Sequence, residues 1–238
     1  MTARPQRVVE ISAESVPISA APPLTLIDAA TWRQIFQPEL ANGQSIKRLI
    51  DVLVAVTLLV VLSPLILLAI VAVQMNSPGP ALFVHYRVGW RSREFPMFKL
   101  RTMVDGAPRL EVTSASDRQR FLKLHRDPRV TTVGRVLRKY SIDELPQLLN
   151  VIRGEMSLVG PRPLVHEEVQ RFRRKAELRR FAVRPGISGL WQVSGRNECD
   201  DDERMRLDLE YVDQWSLWQD FKIMIRTIPA ITSARGAS

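Results

Sequence analysis

The 238-residue sequence predicts a mostly helical α+β chain in which a membrane element is joined to a globular domain. Three observations point there. The run Leu49 to Val73 is apolar apart from Asp51, Thr57 and Ser63. The stretch Asp143 to Gly154 has apolar residues at helical spacing and residues that start and stop helices. Two short β-prone segments, Phe83 to Arg87 and Phe95 to Arg101, flank a turn region at Gly89 to Glu94.

Charge and composition narrow the partners. A net charge of +9 and a pI near 10.4 suit nucleic acid, anionic lipid or a phosphorylated substrate. The single Cys199 excludes an intrachain disulfide and a Cys-based zinc site, and agrees with a reducing compartment. His85, His125 and His166 lie far apart without HExxH spacing and read as structural or surface residues.

Residues 1–44 carry Pro5, Pro17, Pro22, Pro23 and Pro38 among small and polar residues, which predicts a mobile extension. It does not read as a signal peptide, because the first long apolar run begins near residue 49 and no small-residue cleavage site follows. Residues 45–76 form the membrane element. Lys47 and Arg48 precede the 22 uncharged residues Val52 to Val73. As one straight helix these would reach about 33 Å, enough to cross a hydrocarbon core of about 30 Å. Two features favour a re-entrant hairpin over that span. Pro64, after Ser63, removes a helical hydrogen bond near the middle and frees the carbonyl of Val60. Basic residues also flank both ends, with Arg87, Arg91, Arg93, Lys99 and Arg101 downstream, and basic flanks favour the cytoplasmic side. The sequence leaves both topologies open.

Ser77-Pro-Gly-Pro80 is a turn cluster that ends the membrane element and opens a domain over residues 77–238. In the second β segment Lys99 and Arg101 alternate with apolar residues and share one face, where they can meet substrate phosphate or form a solvated basic edge. Asp105 to Arg126 reads as polar and partly helical. The central stretch follows, Arg138-Lys-Tyr-Ser-Ile-Asp143-Glu144-Leu-Pro146-Gln-Leu-Leu-Asn150. Leu145, Leu148, Leu149 and Ile152 predict a helix packed on its leucine side. Starting it at Asp143 puts Pro146 in the first turn and Gly154 at the far end as a left-handed cap. Asp143 would then be an ionised carboxylate at a helix terminus whose free amides suit a phosphate. Adjacent helical positions diverge by about 100°, so Asp143 and Glu144 divide their work: one attacks or holds a metal and the other assists. Asp-Glu pairs also open helices without any chemistry. Arg138 lies just upstream, and Arg162 is clamped between Pro161 and Pro163, which suits a rigid guanidinium for phosphate.

Val165 to Phe181 predicts a strongly basic helix, a lipid-headgroup contact or solvated face, and no nucleic-acid motif accompanies it. Arg184-Pro-Gly-Ile-Ser-Gly-Leu-Trp191 reads as turn, short strand, turn, with arginines that can bracket a ligand. Asp200-Asp201-Asp202 offers an Asp-x-Asp metal pattern or an acidic helix start. From Arg204 to Ile228 the helix signal returns. Its stripe Leu217, Phe221, Met224 and Ile228, with Tyr211, Trp215 and Trp218, fits either buried core or helices lying at the membrane interface.

Taken together, these stretches resemble the bacterial sugar transferase family, the monotopic polyprenyl-phosphate phosphoglycosyl transferases, over about residues 45–228. The resemblance rests on Lys47-Arg48-x-x-Asp51 leading into Ser63-Pro64, Phe98-Lys99-Leu-Arg101, Arg138 with Asp143-Glu144-Leu-Pro-Gln, Gly160-Pro-Arg162-Pro163 and Arg184-Pro-Gly-Ile-Ser-Gly, in that order. It implies a re-entrant helix-break-helix at Ser63 and Pro64 and a small cytosolic catalytic domain with interfacial amphipathic helices, at the cytoplasmic face of a bacterial inner membrane. It further implies transfer of a sugar 1-phosphate from a UDP-sugar to undecaprenyl phosphate with Mg²⁺, by the exopolysaccharide-initiating type of enzyme. On that resemblance Asp143 is the nucleophile, Glu144 assists and shares the metal with it, and Arg138, Arg162, Lys99, Arg101 and Arg184 bind substrate. Glucose or galactose is the expected sugar, anionic lipids are expected neighbours, and the sequence leaves a homodimer open. The rivals are a single-span glycosyltransferase using Asp200 and Asp202 for metal, and a membrane scaffold without chemistry.

Overall fold

The computed structural model describes residues 43–104, 127, 129–170, 175–194 and 200–232. The expected extension up to residue 42 and the polar stretch 105–126 lie outside the described residues.

The apolar run forms helix α1, Gln44–Asn76, whose most apolar 18-residue window has a mean hydropathy of 3.0, long and apolar enough to cross a membrane. The predicted interruption at Ser63-Pro64 is not a break in the helix. Ser63 Oγ donates to the Val60 carbonyl at 2.7 Å, the acceptor that Pro64 leaves without its amide, so helical geometry continues across the proline. Val60, Val61, Leu67 and Leu68 in the middle are exposed, as are Ile46, Leu49 and Met75 near the ends, and only one stripe, Lys47, Asp51 and Ala55 on one side of the middle and Ala69 and Val73 on the other, is buried against the globular domain. Ala55 joins the main core with Met97, Val151 and Ile223, and Ala69 and Val73 join a second cluster with Ala81, Leu100 and Leu137.

Polar groups fix the first turns of α1. Lys47 Nζ donates to Asp220 Oδ2 at 2.6 Å, and Asp51 accepts from Ser157 Oγ at 2.7 Å and the Leu158 amide at 3.3 Å. Asp220 also accepts from the Tyr211 hydroxyl at 2.7 Å and from Trp215 Nε1 at 3.2 Å. Lys47, Asp51 and Asp220 are all buried, and every one of them has an ionic or hydrogen-bonding partner, as buried charge requires.

The expected hairpin is present: β1, Leu82–Val88, pairs antiparallel with β2, Glu94–Leu100, around a 3₁₀ turn at Trp90–Ser92. Its register sets Arg87 opposite Phe95, His85 opposite Met97 and Phe83 opposite Lys99, so Arg87 and Lys99 share a face with the buried Phe95 and Met97. Asn150 covers the backbone of β2, accepting from the Phe98 amide at 3.1 Å and donating to the Pro96 carbonyl at 2.7 Å.

Helix α2, Thr132–Lys139, has no counterpart in the sequence pattern. The Thr131 hydroxyl caps it by accepting from the Gly134 amide at 2.9 Å. The dyad then sits in a 3₁₀ turn, Ile142–Glu144, and helix α3 begins only at Gln147, running to Arg153. Asp143 is therefore not the N-cap of the leucine helix. Ser141, at φ 53°, turns the chain into the left-handed region before the dyad, and Pro146 itself takes the N-cap place. Gly154 closes α3 at φ 87° as expected. The buried face differs as well: Leu148 and Val151 pack inward beside Gln147 and Asn150, while Leu149 is exposed.

Strand β3, Ser157–Val159, pairs in parallel with β4, Gly186–Ser188. The predicted basic helix over Val165–Phe181 is instead a four-residue helix α4, His166–Val169, and a 3₁₀ segment, Lys175–Ala182. Its Arg180 is 4 % exposed, which excludes that side chain from a headgroup or solvent role. Helix α5, Leu190–Val193, precedes α6, Asp201–Asp213, which starts on Asp200, whose Oδ1 accepts from the Glu203 amide at 2.7 Å. The acidic run is thus a helix start. Helix α7, Leu217–Thr232, is separate, so the single signal from Arg204 to Ile228 divides near Gln214. In α7 Ile223 and Asp220 are buried, while Leu217, Trp218, Phe221, Ile225 and Ile228 form an exposed apolar face.

Candidate active site

The dyad is carried by the short turn between α2 and α3, and β2 runs beside it. Asp143 is 8 % exposed, and Glu144 reaches Lys99 Nζ with its Oε1 at 2.8 Å. Consecutive 3₁₀ positions point about 120° apart, so the two carboxylates diverge, as expected. Burial and the neighbouring Glu144 charge raise the Asp143 carboxyl above the usual range, and Lys99 and Arg138 pull it back. The result is a poorly solvated carboxylate with cations close by.

Arg138 is placed by a close backbone approach. A Cβ on Gly134 would come within 2.0 Å of the Thr102 carbonyl oxygen, so only glycine lets α2 lie this near the end of β2. Arg138 Nε then donates to Thr102 Oγ1 at 2.8 Å. Burial pulls the Arg138 pKa down, and the Asp143 charge raises it.

Arg162 sits in the Pro161–Pro163 segment, which backbone bonds between Val88 and Leu164 join to the end of β1. Its carbonyl accepts from Arg180 Nη2 at 2.7 Å, and Arg180 is paired with Asp208 at 2.6 Å. Asp208, also facing the Arg162 backbone, is pushed up to about 6, chiefly by burial. This inner pair holds the Arg162 main chain in place. The Arg162 guanidinium lies 5.7 Å from the centre of the Trp191 ring.

Two of the sequence-predicted substrate residues are engaged elsewhere. Arg101 lies one residue beyond β2 and donates to the carbonyls of Ser77, Pro78 and Gly79, clamping the turn that leaves α1. It does not continue the Lys99 face into the site. Arg184 donates through Nε to the Gly154 carbonyl at 2.8 Å and rests 4.4 Å from the centre of the Trp90 ring, at the far end of α3 from the dyad. Both guanidinium groups secure backbone. Arg87, which sequence reasoning treats only as a flanking charge, lies instead within electrostatic reach of Glu144 and Arg162. Its place on the Lys99 face is the available signal, but it depends on the hairpin register.

Asp143 and Glu144 offer hard oxygen donors, and among the described residues no cluster of three or more acidic, His or Cys side chains forms a metal cage. Such a pair fits a Mg²⁺ ion completed by substrate phosphate and water, the usual mode for that ion.

The family model described as bacterial sugar transferase matches residues 42–234. The exopolysaccharide production protein ExoY of Sinorhizobium fredii is 44 % identical over 198 residues, covering 80 % of this chain and 87 % of that protein. The UDP-glucose:undecaprenyl-phosphate glucose-1-phosphate transferase of Caulobacter vibrioides is 44 % identical over 198 residues, covering 80 % and 71 %. The undecaprenyl-phosphate galactose phosphotransferase of Salmonella typhimurium is 40 % identical over 203 residues, covering 82 % of this chain and 42 % of its own length. On a match that spans the long apolar helix α1, the dyad and the segments that hold Arg138 and Arg162, the chain belongs to the bacterial sugar transferase family.

Proposed function

We propose that the protein transfers a sugar 1-phosphate from a UDP-sugar to undecaprenyl phosphate, and so initiates a glycan such as an exopolysaccharide. The observation that carries this reading is the buried Asp143 carboxylate, set between Arg138 and a Glu144 that is bonded to Lys99. A desolvated carboxylate is a better nucleophile than a hydrated one, and the cations can stabilise charge on a phosphoryl group in transfer. An Asp143 oxygen attacks the β-phosphorus, the bond to the α-phosphate oxygen breaks, and UMP leaves. An oxygen of the lipid phosphate then attacks the aspartyl-phosphosugar at phosphorus and restores the carboxylate, giving the lipid diphosphate sugar. Asp143 and Glu144 would hold Mg²⁺, which when bound offsets phosphate charge. Arg138 and Arg162 orient phosphate oxygens, and Lys99 keeps Glu144 in place. The names of the relatives support glucose or galactose as the sugar.

The same reading places the chain in a bacterial inner membrane, with α1 entering and returning on the cytoplasmic side. Support comes from the packing of both ends of α1 on one domain, through Ala55 and through Ala69 and Val73, with the exposed apolar segment between them. A straight span would carry those two contacts to opposite faces of the bilayer. The exposed face of α7 gives the domain an apolar surface to lay on lipid.

The test is a screen of UDP-sugars with undecaprenyl phosphate for UMP release, run on wild type and Asp143→Asn, with mass spectrometry of trapped enzyme. The expected result is UMP from wild type alone and a phosphosugar adduct on residue 143. Full turnover by the variant sinks the covalent mechanism. Reporter tags at Met1 and Ser238 should both face the cytoplasm; opposite sides would refute re-entry.

A further inference from the structure

Pro161-Arg162-Pro163 has a single backbone N–H, so the segment cannot be laced into the fold by its own amides. Neighbouring strands hold its flanks. The Pro161 carbonyl accepts from the Gly186 amide at 2.9 Å, and Leu164, just beyond, exchanges backbone bonds with Val88. The middle residue is left to side chains. Arg180 Nη2 donates to the Arg162 carbonyl at 2.7 Å and, from the same nitrogen, to Asp208 Oδ2 at 2.6 Å. Asp208 itself faces the Arg162 backbone.

Helix α6 makes this possible. Tyr211, one turn after Asp208 on the same buried stripe, donates its hydroxyl to the Val159 carbonyl at 3.0 Å, so α6 runs beside the chain from Val159 to Arg162. Arg204, one turn before Asp208, lies 5.4 Å from the centre of the Trp191 ring, and the Arg162 guanidinium lies 5.7 Å from the same centre. One helix thus reaches Arg162 twice, at the main chain through Asp208 and Arg180 and at the side chain through Trp191. The Arg180 and Asp208 side chains are 4 % and 2 % exposed. An ion pair this deep is a poor source of stability, because apolar side chains of similar volume commonly serve as well or better. What an apolar pair cannot do is donate to the Arg162 carbonyl.

We infer that Asp208, acting through Arg180, is a positioning residue for Arg162: it fixes the main chain from which that guanidinium is aimed, and so sets the affinity for the donor without touching it. The functional half of this statement rests on the phosphoglycosyl transfer reading, in which Arg162 orients phosphate. The positional half stands on the geometry alone. The Asp208 carboxylate supplies the charge that keeps Arg180 turned inward, and Arg180 supplies the donor that the proline-flanked segment lacks.

The experiment uses the full chain in detergent. Arg180→Met and Asp208→Leu are made together, so that no buried charge is stranded, in wild type and in an Arg162→Ala background. The readouts are thermal unfolding, amide hydrogen exchange of the peptide spanning residues 159–164, and UMP-release kinetics with the UDP-sugar that the screen identifies. The paired variant should melt no more than about 3 °C below wild type. Its 159–164 amides should exchange about 10-fold faster while those of α3 keep their rates, and its KM for the UDP-sugar should rise about 10-fold with a smaller change in kcat. Once Arg162 is alanine, replacing the pair should leave KM where Arg162→Ala alone puts it. The inference is overturned if the paired variant keeps wild-type exchange in that peptide or keeps the wild-type KM. It is also overturned if the KM defect is as large in the Arg162→Ala background, which would make the effect of the pair independent of Arg162. Should the paired variant fail to fold, Arg180→Lys takes its place, a shorter ammonium that stays with Asp208 and falls short of the Arg162 carbonyl; a wild-type KM there overturns the inference too. If wild type releases UMP from no UDP-sugar, the transfer reading falls, and the exchange comparison alone decides whether Asp208 positions Arg162.

Discussion

Replacing the proposed nucleophile should make the protein more stable. Asp143 is buried beside Glu144, and both effects favour its protonated form, with Lys99 and Arg138 only partly opposing them. A carboxyl whose folded pKa stands above its unfolded value binds its proton more tightly in the native state. Stability is therefore greatest below the unfolded pKa and falls as pH rises through the folded one, so at pH 7 the full cost is present. Each unit of upward displacement costs about 1.4 kcal/mol there. An asparagine in place of Asp143 would keep the shape and remove the charge. The former partners are not stranded, because Arg138 keeps Thr102 and Lys99 keeps Glu144. Removing the charge recovers that cost at about 1.4 kcal/mol for each unit of displacement, and each kcal/mol raises the Tm of a chain of this length by about 2–4 °C. Tryptophan fluorescence melts in detergent from pH 4 to 8 would measure it, beside UMP release at each pH. Asp143→Asn should melt higher than wild type at pH 7, converge with it toward pH 4, and lose at least about 10³-fold in turnover. A variant equally or less stable at pH 7, or a gain that ignores pH, would refute the claim that burial and Glu144 strain this carboxylate.

Other substitutions test the supports. Lys47→Met leaves the buried carboxylates of Asp51 and Asp220 without their cation and should cost about 3–5 kcal/mol in denaturant titrations, part of it recovered by adding Asp220→Asn. Gly134→Ala drives a Cβ into the Thr102 carbonyl, and should destabilise by about 1–3 kcal/mol while lowering kcat, because Arg138 moves with α2. Lys99→Met removes a cation that lowers the Asp143 pKa, so the acidic limb of the pH–rate profile should shift to higher pH, read from UMP release across a pH series.

Much of the scaffold is legible where signals are local. The hairpin shows in two β-prone segments about a glycine turn, and Gly154 and Asp200 mark helix ends through their own backbone or side-chain chemistry. The start of α3 is misread from sequence because Asp143 is a good cap and would put Pro146 in the first turn, whereas Pro146 itself holds the cap position. What decides is the left-handed turn at Ser141, a non-glycine residue that gives no such warning. Strands β3 and β4 are three residues each and pair across 29 positions, too short for periodicity and too distant for a turn signal. The α7 stripe is visible in the sequence, but whether Phe221 and Ile228 or Ile223 face the core depends on where α5, β3 and β4 pack. At the site, Asp143, Glu144, Arg138 and Lys99 are recognisable and come together. Arg101 and Arg184 group with them in the sequence through the alternation of Lys99 with Arg101 and through the family resemblance. Their acceptors are main-chain carbonyls of Ser77 and Gly154, which no residue pattern reveals.

Arg48 donates to the carbonyls of Val151 and Ile152, so the long apolar helix α1 supplies a closing cap of α3, the helix that follows the dyad. The anchor and the chemistry thus share a joint. Trimming the chain to a water-soluble piece would open the C-terminus of α3 and uncover the seat of Ala55, rather than free an intact catalyst. An exchange of this helix for a foreign anchor of equal hydropathy should fail for the same cause, since a foreign helix would bring grease without the arginine.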